Sequence, residues 1–281
     1  MTDRRRFFGS SIRSELVGLV GCVLGFAIPA FADETDEKHP LLTSGFSLDV
    51  GIFYPDRDTS LRVNGSVSAE NQEFDFDEGA GRKDSDNIFA AEMAWRFRGN
   101  WSLLAQYFDS SRSTSRVLQE DIQWGDVVFG AGSNASGGTS LEVTRLFVGK
   151  NLDAMPNHDL GLGLGIHWLH IGAFIQGTII ANGQPMTEGR SVSADGPLPN
   201  LGMWYRYSIS PRLAFRTRLD LMSASVGEYS GLLLNASAGL NYRVTEHFGI
   251  GVSYNLFELD VEIDNSNWRG NVDTLYNGLY V

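Results

Sequence analysis

Cysteine is nearly absent. Cys22 is the only one in the 281 residues, and it lies inside an apolar stretch near the N-terminus. Beyond that stretch, disulfides, thiolate metal sites and cysteine nucleophiles are excluded. Lysine is almost as scarce, limited to Lys38, Lys83 and Lys150. The remaining cations after residue 32 are 15 arginines, set against 32 of the chain's 34 acids, a net charge near −14. An acidic excess of that size argues against nucleic acid as a partner. No run of 18 apolar residues follows residue 32, so no segment there suits a transmembrane helix. A transmembrane strand needs only ~9–11 residues and leaves no such run. The motifs G-x-S-x-G and H-E-x-x-H are also missing.

The N-terminus carries an address. Arg4, Arg5 and Arg6 precede an apolar run from Leu16 to Phe31, and Ala30-Phe31-Ala32 forms a small-x-small cleavage site. Residues 1–32 read as a secretory signal peptide cleaved after Ala32, and residues 33–43 as a polar leader. Two other readings compete. Leu19-Val20-Gly21-Cys22 matches a lipoprotein box, but the apolar run continues ten residues past Cys22. Arg4-Arg5 before Phe7-Phe8 resembles a twin-arginine signal, which serves folded cargo.

Residues 44–281 alternate. In "NIFAAEMAWRFRGNWSLLAQYF", Phe89, Ala91, Met93, Trp95 and Phe97 fall on one face, Glu92 and Arg96 on the other. Gly99-Asn100 then turns the chain and the alternation restarts, as in a β-hairpin. The same period recurs in "GFSLDVGIFYP", "LEVTRLFVGK", "HDLGLGLGIHWLHIGAF", "LPNLGMWYRYS", "RLAFRTRLDLM", "LLLNASAGLNYRV", "FGIGVSYNLF" and "WRGNVDTLYNGLYV". That makes ten strands and an all-β chain; Leu61–Val63 and Val117–Phe129 leave eight or twelve open. Long polar connections, Val63–Asp86, Ser110–Ser140 and roughly Gly177–Gly196, alternate with short ones such as Asp153–Asn157 and Ser210-Pro211, while those near Gly227 and Asn265 are brief.

Which face meets the outside follows from the charges. Asp49, Glu92, Arg96, Arg206, Arg216, Arg218, Asp220 and Arg243 share the face opposite the aromatics, together with many Gly, Ser and Asn. An arginine at the lipid midplane costs ~2–4 kcal/mol, so this face cannot meet hydrocarbon. Aromatics gather where strands meet turns: Phe46, Trp95, Phe97, Trp101, Tyr205, Tyr207, Tyr242 and Phe248, the pattern of an interfacial girdle. Open edges in lipid leave backbone groups unpaired, so the sheet must close. The expectation is a closed antiparallel transmembrane β-barrel of ten strands with a polar lumen. Short turns then face the periplasm and long loops the exterior.

The signal peptide, the ten alternating segments and the aromatic-ended last strand resemble small bacterial outer-membrane β-barrel proteins of the OmpA/OmpW-like kind. The resemblance implies localisation in a Gram-negative outer membrane. It implies contact with outer-membrane lipid and lipopolysaccharide, and recognition by the barrel-assembly machinery through Tyr276, Gly278 and Tyr280. Here the chain departs from the usual aromatic terminus by ending in Val281. Members anchor, adhere, pass small solutes or hydrolyse lipid, so the resemblance implies no single activity.

The lumen charges, with Arg145 added from the fourth strand, admit two readings. Paired, they are a plug; as an arginine ring, they are a narrow anion pathway. In "NLFELDVEID" the apolar parity shifts to Phe257, Leu259, Val261 and Ile263, with Glu258, Asp260, Glu262 and Asp264 outward. Either a bulge resets the strand or the strand continues above the hydrocarbon, the reading preferred here. Such an acidic ladder beside lipopolysaccharide phosphates raises a weak dependence on Ca²⁺ or Mg²⁺. The acids of "QEFDFDEGAG" lack the spacing of a calcium loop and read as an acidic loop. His158 and His247 fall in short turns, and His167 and His170 in the fifth strand, with no partner at motif spacing. The expectation is a non-enzymatic surface component, with no cofactor or metal, that passes small solutes if its lumen is open. The alternatives are an outer-membrane enzyme acting on lipid or peptide, revived by His with Asp or Ser at the loop end, and a soluble periplasmic ligand-binding barrel.

Overall fold

The computed structural model describes residues 38–281 apart from 64–71, 76–86, 98–99, 119–120, 125–126, 154–155, 182–183, 227–228 and 265–268. The signal peptide and its cleavage at Ala32 lie outside the described residues, as do Asp77 and Glu78. A single helical turn, α1 (Pro40–Thr43), precedes the strands β1 (Phe46–Val63), β2 (Gln72–Asp75), β3 (Ile88–Phe97), β4 (Trp101–Val117), β5 (Ile122–Trp124), β6 (Val127–Phe129) and β7 (Asn134–Asp153). After them come β8 (His158–Ala181), β9 (Gln184–Ser208), β10 (Leu213–Val226), β11 (Tyr229–Arg243), β12 (Gly249–Asp264) and β13 (Arg269–Tyr280). Ten of these, all but β2, β5 and β6, pair antiparallel in sequence order. The ring closes between β13 and β1, with Phe53 opposite Tyr280 and Val63 opposite Gly270. The chain is a closed ten-stranded antiparallel barrel. Each alternating segment of the sequence lies in one of its strands.

Much of what reads as outer loop is strand. The long connection expected between Gly177 and Gly196 is instead a tall β8–β9 hairpin, paired from His158–Tyr207 up to Ala181–Gln184. Pro197 and Pro199 fall inside β9, where a proline costs a ladder bond if both sides are paired. Above Leu201, however, β9 has only β8 beside it, because pairing to β10 ends at Leu221–Leu201. A proline on an open strand side forfeits no ladder bond. Residues 72–75, expected in an acidic loop, form β2 against β1. Ile122–Trp124 and Val127–Phe129 form a separate hairpin, which adds no barrel strand.

The wall turns inside out along its height. At the short-turn end Phe46, Trp95, Trp101, Tyr242 and Phe248 stand exposed on the exterior. Leu48, Val50, Leu164, Leu201 and Ile250 continue the belt, with Leu164 68% exposed. Tyr54, Phe89, Tyr107, Trp168 and Tyr254 form its upper rim. From Phe46 to Tyr54 is about nine residues, enough for one crossing of the hydrocarbon. Beyond the rim the two faces exchange character. On β12 the outward Ile250, Val252 and Tyr254 give way to Glu258, Asp260 and Glu262, while Phe257, Leu259, Val261 and Ile263 become buried. The β11–β12 register runs unbroken from Arg243–Gly249 to Tyr229–Ile263. No bulge resets the strand; its ladder continues past the exposed apolar belt. The apolar belt removes support from the soluble-barrel alternative, since so broad an exposed apolar surface marks a membrane contact.

Candidate functional site: a closed, ion-paired lumen

Inward-facing positions stack in three layers. The lowest contains a segment that lies outside every alternating stretch of the chain. Where a plain polar leader was expected, His39 is buried, its backbone N–H donating to Ser208 Oγ at 3.0 Å. His39 caps α1 by accepting the Leu41 N–H at Nδ1, 3.1 Å. The Arg96 guanidinium donates to the Leu42 carbonyl, fastening this turn into the mouth. Arg96 also reaches Asp159 at 2.8 Å, and Arg206 reaches the same carboxylate at 3.4 Å. Trp204 Nε1 donates to Asp159 at 3.3 Å. Asp159 escaped the sequence reading because it follows His158 at what looked like a turn. Arg243 lines the vestibule of about 610 Å³ that opens at this end.

The middle layer brings the remaining expected charges together. Arg216 pairs with Asp49 at 2.9 Å and reaches Glu92 at 3.8 Å. Arg218 pairs with Glu92 at 2.9 Å and approaches Asp220 at 3.5 Å. Arg145 pairs with Asp220 at 2.8 Å, with side chains 1% and 0% exposed. Its guanidinium also lies 4.5 Å from the centroid of the Phe147 ring, so its inward apolar neighbour is a packing partner. Neutral groups complete the layer: Gln106 accepts from Arg218 at 2.9 Å, and Asn235 contacts His167 Nε2 at 3.2 Å. Of these neutral groups only His167 drew notice in the sequence, as a strand histidine without a partner. Small residues make room. A Cβ on Gly202 would lie 2.1 Å from Asp220 Oδ1, and one on Gly161 would lie 2.0 Å from the Trp204 ring.

The top layer is apolar. Phe108, Val143, Leu169, Leu198, Leu233 and Phe257 are buried there, with Trp124, Val127 and Phe129 of the β5–β6 hairpin in the same cluster. Between the layers lie two cavities of about 30 Å³ each, one beside Phe108 and Phe257, the other beside Leu41 and Arg206. Each has room for a water or two.

Tyr276, Gly278 and Tyr280 face this lumen. Tyr276 and Tyr280 are buried, and a Cβ on Gly51 would lie 2.9 Å from the Tyr280 ring. The outward phase of the last strand ends in Leu279 and Val281, both exposed. Outside the barrel, His170 Nδ1 and Asp195 Oδ1 meet at 2.5 Å on the exterior wall, just above Trp168. Among the described residues no group of three or more His, Asp or Glu could hold a metal.

Fold and lumen together define a small outer-membrane β-barrel. No family model matches the chain, and no curated protein does either. Among solved structures it is similar to the outer membrane protease OmpT from Escherichia coli, at 13% identity over 84% of this chain and 96% of that one, with a TM-score of 0.49. It is similar also to Ail, the attachment invasion locus protein of Yersinia pestis, at 11% identity over 84% and 96%, TM-score 0.33. A third is the Pseudomonas putida toluene transporter TodX, at 8% identity over 88% and 94%, TM-score 0.31. Likenesses this distant carry nothing about activity.

Proposed function

We propose that the protein is a sealed, non-enzymatic barrel of the Gram-negative outer membrane that holds strands and loops above the lipid and passes no solute. Its partners in that setting are outer-membrane lipid and lipopolysaccharide and, during biogenesis, the barrel-assembly machinery. The observation that carries this reading is the Arg145–Asp220 pair, buried at mid-lumen beneath an apolar layer. An anion pathway needs unpaired guanidinium groups facing water. Here five arginines and four carboxylates are linked to one another. Planar-bilayer recording tests it. The wild-type barrel inserts without conductance steps; an anion-selective current that disappears in Arg216→Ala/Arg218→Ala makes it a channel instead.

One observation favours a second reading, hydrolysis of lipid at the leaflet surface. The His170–Asp195 pair is a base with its orienting carboxylate, and Ser140 and Ser193 lie in the next outward row, two positions along. Ester cleavage by the wild type that is lost in His170→Ala supports it, and an inert wild type removes it.

A further inference from the structure

The exterior wall above Trp168 has a composition the plug does not explain. Four neighbouring strands, β4, β7, β8 and β9, place their outward residues in register. The row nearest the belt is Asp109, Glu142, His170 and Asp195. Three rows follow: Ser111, Ser140, Gly172, Ser193; then Ser113, Gly138, Phe174, Ser191; then Ser115, Ser136, Gln176, Gly189. These three rows hold no charge. Glycine is a poor strand former, and a strand face chosen for pairing alone favours β-branched residues such as Thr. The use of serine and glycine on four adjacent strands makes a flat surface on which each hydroxyl both donates and accepts.

Phe174 is the single aromatic in the grid. Its ring lies across Gly138, where an added Cβ would meet Cε1 at 2.7 Å, yet the side chain stays 38% exposed. An aromatic ring laid on a glycine floor, with hydroxyls on the flanking strands, suits the C–H face of a sugar whose hydroxyls reach the serines. A groove of about 470 Å³ crosses this spot, lined by Ser111, Arg112, Ser113, Ser140, Phe174 and Ser191 among others.

Position selects the source of the sugar. The grid is continuous with the lipid-facing wall, since Leu164, Ile166 and Trp168 precede it on the outward face of β8. Phe174 lies six residues beyond Trp168, roughly 20 Å along the strand. That is past the acyl chains and within the layer where an outer leaflet carries saccharide headgroups. We infer that this four-strand wall, centred on Phe174, is a docking surface for neutral core sugars of lipopolysaccharide in the same leaflet. The assignment rests on the membrane reading of the barrel and names the partner of its exterior.

The test uses the full barrel refolded into bicelles free of lipopolysaccharide, titrated with dephosphorylated core oligosaccharide and followed by calorimetry and NMR. Wild type binds; Phe174→Ala weakens binding about tenfold, the size of one aromatic contact, and Phe174→Trp restores it. Absence of binding, equal binding by Phe174→Ala, or binding confined to phosphorylated core overturns the docking surface. Equally tight binding of soluble maltoheptaose overturns the choice of lipopolysaccharide. Insertion is scored separately by heat-modifiable migration. A barrel that fails to insert overturns the membrane reading itself, whereas one that inserts and ignores the sugar overturns the docking surface alone.

Discussion

Arg145 on β7 and Asp220 on β10 meet at 2.8 Å across the lumen, each almost fully withdrawn from solvent. Neither strand neighbours the other in the ring, so the contact exists only because the sheet closes. Removing one member of such a pair strands a buried charge, at a cost of about 3–5 kcal/mol. Asp220→Ala is therefore expected to destabilise the barrel by that amount in urea unfolding. The double variant Arg145→Met/Asp220→Leu is expected to recover most of the loss. Equal destabilisation by both would show that the pair's charges are not what matters.

The N-terminal turn makes stability depend on pH. Burial, then the nearby Arg243, pushes the His39 imidazole below its ordinary 6.5. It accepts the Leu41 N–H in its neutral form. The folded state thus binds the proton less readily than the unfolded state. The contribution of this turn is complete above about pH 6.5 and falls away as pH drops through the folded value. Limited proteolysis at the leader should accelerate between pH 7.5 and 5. His39→Asn, which keeps a capping acceptor without titrating, should flatten that change.

Above the belt, Asp260 on β12 faces Asp273 on β13. Burial, then the neighbouring Glu262, raises the Asp260 carboxyl above its ordinary range. Here the folded state holds its proton more tightly, so acidification through the raised pKa stabilises and neutral pH withdraws that gain. Like charges directly opposite each other across a ladder destabilise it. Asp260→Asn is expected to raise the melting temperature slightly at pH 7 and to make it less sensitive to pH between 7 and 4.

A dependence on Ca²⁺ or Mg²⁺, raised by the acidic ladder of β12, is checked by the same melt. With no converging metal-binding group among the described residues, chelator is expected to leave the transition in place. A drop on chelation, reversed by Ca²⁺, would assign the ladder a bridging ion.

Much of the fold is legible in the chain because strand parity is a local property. Glu92 and Arg96 point inward for the same reason that Met93 and Trp95 point outward. The inversion along β12 could be read from Phe257 onward, where acids take over the outward phase without any turn signal. What parity does not carry is distance across the ring. Nothing in the spacing says that Arg216 meets Asp49, 167 positions away, or that Arg218 meets Glu92. Asp159 and Asn235 lie inside for the same reason as the arginines, but lone polar residues beside a turn or among leucines give a weak signal. His39 and Leu42 act through a cap and a carbonyl, which composition does not reveal. Serine- and glycine-rich stretches such as Ser110–Ser115 read as loop because their strand propensity is low. In the barrel their neighbours supply the pairing.

The most direct test of the account follows collision of spin labels placed one at a time on the outward face of β8, at Leu164, Trp168 and Phe174, in lipid vesicles. Both the lipid-facing belt and the sugar-facing wall require hydrocarbon to end between the second and third positions. The account predicts oxygen-dominated relaxation at Leu164, a decline at Trp168, and relaxation by a water-soluble nickel chelate at Phe174. Chelate access at Leu164 equal to that at Phe174 would contradict it.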